Sequence, residues 1–205
     1  MDTQAGLKEV SRFVVLIPHR DALKPLEAYR SRLFAAGFAG AHSFPLAAPL
    51  AAVSRPFSRQ ELKELGGNIR GVTATREDIP LRLCQKNCGK IHSTGTSLVQ
   101  CPPFSFLGIL LDFSLEEAVF PPAAREKLLA VPSFPALCAA LAGPEENSAF
   151  EEAPPLSFRA ASVANLAVRP LPGGDRSYSF EWNIGTPAWL PKYDVRPGRG
   201  KALKP

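Results

Sequence analysis

Four residues in the middle of the chain have the types and the spacing to hold a metal ion. Cys84, Cys88, His92 and Cys101 follow the pattern C-x3-C-x3-H-x8-C, and thiolate with imidazole is the ligand set that zinc prefers. Structural zinc sites usually place two residues between the first cysteines, so that a tight turn aims both sulfurs at the ion, whereas this chain has three. The other interpretation is a hairpin whose partly buried cysteines behave as small apolar side chains. We predict no metal and no cofactor, and keep these four residues as the alternative.

A second pattern has the types needed for proton transfer at a phosphate. His92, Ser93 and Thr94 form an H-x-T triplet. Residues i and i+2 of a strand share a face, so the imidazole could move a proton while the threonine hydroxyl donates a hydrogen bond to the same phosphate. This chemistry needs a second imidazole, but the chain has no second H-x-T triplet. We predict no catalytic residue, with His42, His92 and Thr94 as the alternatives.

A third group has the chemistry of a phosphate-binding site. Arginine presents a planar fork of donors that matches phosphate oxygens, and polar residues accompany the arginines of the second half. The alternative is that each arginine ends a strand and lies in water. We predict ligand-binding roles for Arg55, Ser162, Asn165 and Arg169, with Arg176 as a further cation.

The first part of the chain predicts alternating strands and helices that would position these residues. Residues 13–17, FVVLI, form a continuous apolar run that ends at Pro18, as in a strand buried on both faces. Apolar residues then recur every three or four positions from Leu23 to Phe34, which predicts a helix. Asp21 is its predicted N-cap, and Gly37 is the kind of residue found just past a helix end.

The stretch from 42 to 69 predicts a second strand and a second helix. The apolar segment before Ser54 predicts the strand. Ser58 and Glu61 then have the S-x-x-E spacing of a capping box, in which each side chain bonds to the backbone N–H of the other residue. Leu62, Leu65 and Ile69 follow at helical spacing and give the helix one apolar face.

The second half of the chain predicts mostly strands. We expect a hairpin that turns at 87–89, a strand over 104–115, a short helix between 121 and 132, and a helix capped by Ser133 and closed by Gly143. The acidic segment 144–155 is expected to be a surface connection. Two further strands, over 156–171 and 178–184, are expected to pair with each other.

Composition indicates one soluble globular domain of two lobes over residues 1–191. The chain has 205 residues, of which 45% are hydrophobic and 21% are charged, enough for one sizeable core. Its net charge of +5 is concentrated in residues 192–205, which we expect to be a flexible basic tail. The chain has no secretory signal or bilayer-spanning run, and its four cysteines are few enough to be reduced thiols, so we expect a cytoplasmic protein with no membrane partner.

The order of these segments resembles the two-histidine phosphoesterase superfamily, the group of the 2′-5′ RNA ligase-like proteins. The resemblance rests on FVVLIPHRD, SFPLAAPLAAVSRPFSRQELKEL, FRAASVANLAVRPL and YSFEWNIGTPAWLPK, and it covers most of the chain. It implies an α+β fold of two lobes, with mixed or antiparallel sheets and flanking helices. It also implies a cleft between the lobes where two H-x-T/S triplets meet and hydrolyse cyclic phosphodiesters or join RNA, without a metal.

The chain departs from this family at both triplets. The first place, 47–52, reads AAPLAA, and the second, 162–166, reads SVANL, with Asn165 at the position of the hydroxyl. Alanine and proline cannot transfer protons. We therefore predict a catalytically degenerate protein that binds a nucleotide, an RNA or another phosphate-bearing ligand in the cleft. The alternatives are a divergent active phosphodiesterase that uses His42 or His92, and a protein-interaction module.

Overall fold

The computed structural model describes residues 10–74, 90–102, 104–142, 157–159, 162–170 and 178–182. The elements, in chain order, are β1 (Ser11–Ile17), α1 (Arg20–Ala35), β2 (Ala48–Val53), α2 (Arg59–Ala74), β3 (Lys90–Cys101), β4 (Phe104–Leu111), a short 3-10 helix (Glu117–Val119), α3 (Pro122–Arg125), β5 (Leu128–Ala130), β6 (Ala136–Ala142), β7 (Ser157–Arg159), β8 (Ser162–Pro170) and β9 (Tyr178–Trp182). The predicted α+β class with antiparallel sheets and flanking helices is confirmed.

The strands form two antiparallel sheets. The five-stranded sheet has the order β5-β2-β1-β8-β9, and the four-stranded sheet has the order β6-β4-β3-β7. The predicted pairing of the last two strands is confirmed, because Leu166 of β8 lies opposite Trp182 of β9. The sheets also touch along one edge, where the backbone N–H of Cys138 donates to the carbonyl of Ala47 at 3.0 Å.

The core has two parts, and the central strands contribute to both because successive side chains point to opposite faces. In β1, Val14 and Leu16 pack with the apolar residues of α1 and α2, in a cluster that we call the helix-side core. Phe13, Val15 and Ile17 point to the other sheet. We call this second cluster the inter-sheet core; its other buried members are Phe44, Ala47, Phe104, Phe106, Ala136, Cys138, Leu141, Ala164, Leu166 and Val168.

The predicted helix signals are confirmed where they depend on residues close in sequence. The Ser58 N–H donates to Glu61 Oε2 at 2.5 Å, and the Glu61 N–H donates to Ser58 Oγ at 3.3 Å, so the capping box at the start of α2 is formed. Gly37 follows α1 with φ of +101°, and Phe38 N–H donates back to Leu33 O at 3.0 Å, which closes that helix. Asp21 lies inside α1 rather than before it, so its predicted role as N-cap is wrong.

The helix predicted after Ser133 is wrong. Residues Ala136–Ala142 form β6, which pairs with β4 through the register Phe106 with Leu141 and Ile109 with Leu137. Alanine favours helix in isolation, but β6 is covered on both faces by the two cores, and pairing with β4 satisfies its backbone. The short helix between 121 and 132 is present as α3, and β5 follows it.

Several sequence predictions fall outside the described residues. These are the hairpin turn at 87–89, the surface connection over 144–155, Arg176 and the basic tail over 192–205. Among the residues that the structure describes, no helix is both long enough and apolar enough to span a bilayer.

Candidate functional site

Both positions at which the resemblance expects a triplet contribute apolar side chains to the inter-sheet core. Ala47 comes directly before β2, and Ala164 and Leu166 belong to β8; all three are buried in that core. The resemblance expects a polar cleft with paired imidazoles here. The space between the sheets is instead largely filled by apolar side chains, with Phe44 and Phe104 in ring contact at 4.9 Å.

The inter-sheet core leaves a cavity of about 130 Å³ near one edge of the two sheets. Residues from β1, β2, β3, β4, β5 and β6 contribute to its wall. The lining residues are Phe13, Pro49, Ala51, Ala52, Val99, Gln100, Cys101, Pro102, Phe106, Ala130, Pro132, Phe134 and Ala136. None of them is charged at neutral pH, so the cavity is an apolar site.

The side of the cavity near β5 is open to solvent. Phe134 is 59% exposed although its side chain lines the cavity, and Ala130 on the edge strand β5 is also exposed. Ala130 lies opposite Ala52 of β2, and Ala52 lies opposite Phe13 of β1. Ala130, Ala52 and Phe13 therefore lie side by side in the part of the wall that the five-stranded sheet supplies.

Cys101 is the one thiol in the wall of the cavity. Burial raises its pKa to about 12, because the thiolate would lose its hydration. The side chain is therefore a neutral thiol at physiological pH, neither a nucleophile nor a ready metal ligand. Cys138 lies in the inter-sheet core, where burial likewise raises its pKa.

The proposed zinc ligands are not brought together within the described chain. His92 and Cys101 lie at opposite ends of β3, nine residues apart, which is about 30 Å in an extended strand. They cannot ligate the same ion. Cys84 and Cys88 lie outside the described residues, and among the residues described no group of three or more histidine, cysteine or acidic side chains could hold a metal.

The H-x-T triplet lies at the end of β3 that is distant from the cavity. His92 pairs with Ser157 of β7, whereas Val99, seven residues further along β3, lines the cavity. A register shift between Ser93 and Gly95 places a bulge at Thr94. The strand register is therefore irregular within the triplet.

His42, the other catalytic alternative, lies on the surface beside α1. Its side chain is 47% exposed, its Nδ1 atom is 3.7 Å from Glu27 Oε2, and its ring is 5.8 Å from that of Phe34. Neither neighbour lines the cavity. His42 therefore does not belong to the wall of the cavity.

The four residues predicted to bind a phosphate do not form one site. Ser162 and Arg169 lie seven residues apart on β8, about 23 Å along the strand. Arg55 follows β2, which β1 separates from β8. Arg55 is paired with Glu126, and the Arg169 Nε atom is 3.3 Å from Glu181 Oε1, so both arginines already have an anionic partner.

Asn165 has a structural partner on the helix side of the sheet. Its Nδ2 atom donates to the carbonyl of Phe57 at 2.7 Å, and its Oδ1 atom accepts from the N–H of Phe57 at 2.8 Å. The side chain is only 3% exposed. Asn165 thus satisfies both backbone groups of the residue that leads into α2, in place of a bond to a ligand.

A buried ion pair near the start of α2 was not predicted from the sequence. Lys127 Nζ donates to the two carboxylate oxygens of Glu61 at 2.6 and 2.7 Å, and both side chains are 11% exposed. Burial alone would raise the pKa of Glu61, but hydrogen bonds from Lys127 and Ser58 outweigh it and lower the pKa below its ordinary value. The capping box identified Glu61, whereas no local signal identified Lys127, which is 66 residues away.

Compared with models of protein families, with curated proteins and with solved structures, the chain gives no match.

Proposed function

We propose that the protein is a non-catalytic binding protein, a divergent form of the two-histidine phosphoesterase fold, that takes a compact apolar group into the cavity between its sheets. The observation that carries this proposal is the apolar wall of the cavity. Pro49 and Ala52 stand in this wall, within the stretch where the resemblance expects a catalytic triplet. Neither side chain can move a proton or donate a hydrogen bond to a phosphate.

The volume of the cavity supports an occupant of about the size of a phenyl ring. At about 130 Å³ it is close to apolar cavities of about 150 Å³ that stay dry and bind benzene. Phe106 and Phe134 offer ring surfaces to an aromatic or branched aliphatic group. The occupant would be a small apolar ligand, or the apolar end of a larger one that extends past Phe134 into solvent.

A phosphate-bearing ligand is less well matched to this cavity. Its wall presents no cation, and Arg55 and Arg169 each lie beside a glutamate in the folded protein. A nucleotide or RNA in the cavity would leave its charge without a partner, which is costly away from water. The test of the proposal therefore includes nucleotides as competing ligands.

The test is thermal unfolding of the full chain with small aromatic and branched aliphatic compounds, and separately with 2′,3′-cyclic and linear nucleotides. A compound that binds only the folded state raises Tm, by an amount set by its concentration relative to Kd. We expect benzene- or indole-sized compounds to raise Tm. In the variant Ala52→Leu, whose larger side chain fills the cavity, the same compounds should leave Tm unchanged.

Ala28→Leu is the matched control, because Ala28 is exposed on α1 and does not line the cavity. This variant should respond to the compounds as the unmodified protein does. A rise in Tm with nucleotides and none with apolar compounds would overturn the proposal. Hydrolysis of a cyclic nucleotide would overturn the non-catalytic part of it.

A further inference from the structure

Helix α2 carries a row of cations that have no partner in the described structure. Arg59, Lys63 and Arg70 are all exposed, and at about 100° per residue they lie within about 40° of each other around the helix axis. Arg59 and Arg70 are eleven residues apart, about 16 Å along the axis. The row is therefore a narrow basic stripe along the solvent face of the helix.

Several cations elsewhere in the described structure have an anionic partner, unlike those of the row. Arg55, Lys127 and Arg169 each pair with a glutamate. Within the described part of the chain, no ion pair or hydrogen bond involves the side chains of the three cations in the row. On the same helix, Glu61 points to Lys127, and the exposed Glu64 lies about 100° around the axis from Lys63. The stripe thus keeps a net positive charge.

A glycine opens the surface beside this row. Gly67 is four residues after Lys63 and three before Arg70, so it neighbours both on the helix surface. A Cβ placed on Gly67 would meet no atom within 4 Å, so packing does not require a glycine there. Glycine inside a helix costs about 0.5–1 kcal/mol relative to alanine. The position is therefore unexplained by the fold, and it leaves room for a partner to approach the helix backbone.

We propose that this face of α2 binds the sugar-phosphate backbone of a nucleic acid. A linear row of fixed cations complements a chain of regularly spaced anions. Leu62, Leu65 and Ile69, the apolar side of α2, are buried in the helix-side core, so the helix has no apolar face to insert into a lipid bilayer. The contacts are to phosphates, so binding is independent of base sequence. This surface is separate from the cavity and does not depend on what the cavity binds.

The test measures the salt dependence of binding by fluorescence anisotropy, with short RNA and DNA duplexes and the full chain. The variant Arg59→Gln with Lys63→Gln removes two phosphate contacts. It should bind about tenfold more weakly at low salt, and the slope of log K against log salt should become shallower by about 1.8. Because the variant is compared with the unmodified protein, the contribution of cations elsewhere in the chain to the slope cancels.

Two control variants distinguish binding at this face of α2 from a nonspecific effect of net charge. Lys24→Gln with Arg32→Gln removes the same charge from the exposed face of α1 and should change the slope by less than half as much. Gly67→Gln should leave Tm unchanged or raise it, because glutamine is the better helix former, yet weaken binding by its bulk. Equal losses from the α1 and α2 pairs, no binding at low salt, or preference for anionic vesicles over duplexes would each overturn the proposal.

Discussion

Replacing Asn165 separates its structural role from the ligand-binding role that the sequence suggested. Asn165 makes two buried hydrogen bonds, to the N–H and to the carbonyl of Phe57. Asn165→Ala leaves both backbone groups without a partner, and a buried unsatisfied group costs about 1–3 kcal/mol. We expect a loss of about 2–4 kcal/mol in the free energy of unfolding, measured by urea denaturation with an unchanged m-value.

Asn165→Asp makes the prediction sharper, because it removes one of the two bonds in a pH-dependent way. An ionised carboxylate still accepts from the Phe57 N–H, but it faces the Phe57 carbonyl without a proton to donate. Burial and this carbonyl raise the folded-state pKa of the introduced carboxyl above its unfolded value of about 3.9. The carboxyl therefore fits best when protonated, below the unfolded pKa, and the variant loses stability as the pH rises through the folded pKa.

The assay is urea denaturation of the variant and the unmodified protein at matched pH values from 4 to about 8, above the unfolded-state pKa of about 3.9. Subtracting the free energy of unfolding of the unmodified protein at each pH removes the contribution of other titratable groups such as Glu61. We expect the deficit of Asn165→Asp to be larger at pH 8 than at pH 4. A deficit below about 0.5 kcal/mol in Asn165→Ala, the range of ordinary surface substitutions, would refute the structural role.

Four further predictions test the ion pair, two glycines and the thiol. Lys127→Met should lower the free energy of unfolding by about 3 kcal/mol at pH 7, because it leaves Glu61 buried without its partner. Lys127 helps to lower the pKa of Glu61, so this deficit should shrink as falling pH protonates Glu61 in both proteins. Urea denaturation at a series of pH values measures it. Gly108→Ala brings a Cβ to 2.8 Å from side chains of the inter-sheet core and should cost about 1–3 kcal/mol. Gly67→Ala, with open space around it, should instead stabilise by about 0.5–1 kcal/mol in the same denaturation assay. Cys101, with a pKa of about 12, should be alkylated by iodoacetamide at pH 8 far more slowly in the native protein than after unfolding, measured by peptide mass spectrometry.

Sequence reasoning succeeded where the deciding interactions lie within about five residues of each other. The Ser58–Glu61 box forms as predicted, and Gly37 closes α1 through a bond between Phe38 and Leu33. The strand over 13–17 was also predicted, since a short apolar run ending at proline can be read without knowing its neighbours. These signals predicted individual strands and helices, whereas the α+β class was what the family resemblance implied.

Sequence reasoning failed where distant segments decide the structure. The alanine-rich residues of β6 have helical propensity, and only their position between the two cores makes them a strand. The wall of the cavity is also assembled from many segments: Ala52 and Ala130 lie opposite each other although 78 positions separate them in the chain. No local pattern marks these alanines as neighbours.

The hydrogen bonds of Asn165 with Phe57 were not predicted, because the face on which a strand residue lies depends on strand register. Alternate residues of β8 point to opposite sides, with Ala164 and Leu166 in the inter-sheet core and Asn165 bonded to Phe57 on the helix side. When apolar and polar residues alternate along a strand, the pattern shows that the strand has two different faces. It does not show which of the two faces packs against the other sheet. A shift of one residue would have placed the amide in the space between the sheets.

The small apolar side chains of Ala47 and Ala164 have a consequence for the whole inter-sheet space. Paired imidazoles at Ala47 and Ala164 would need water or hydrogen-bond partners, which the aromatic rings of Phe44 and Phe104 do not supply. Alanine at both positions lets the two sheets close on each other and bury these rings. Introducing histidine at Ala47 and Ala164 should therefore destabilise the protein, because both positions lie in a packed apolar core and not in an open, hydrated cleft.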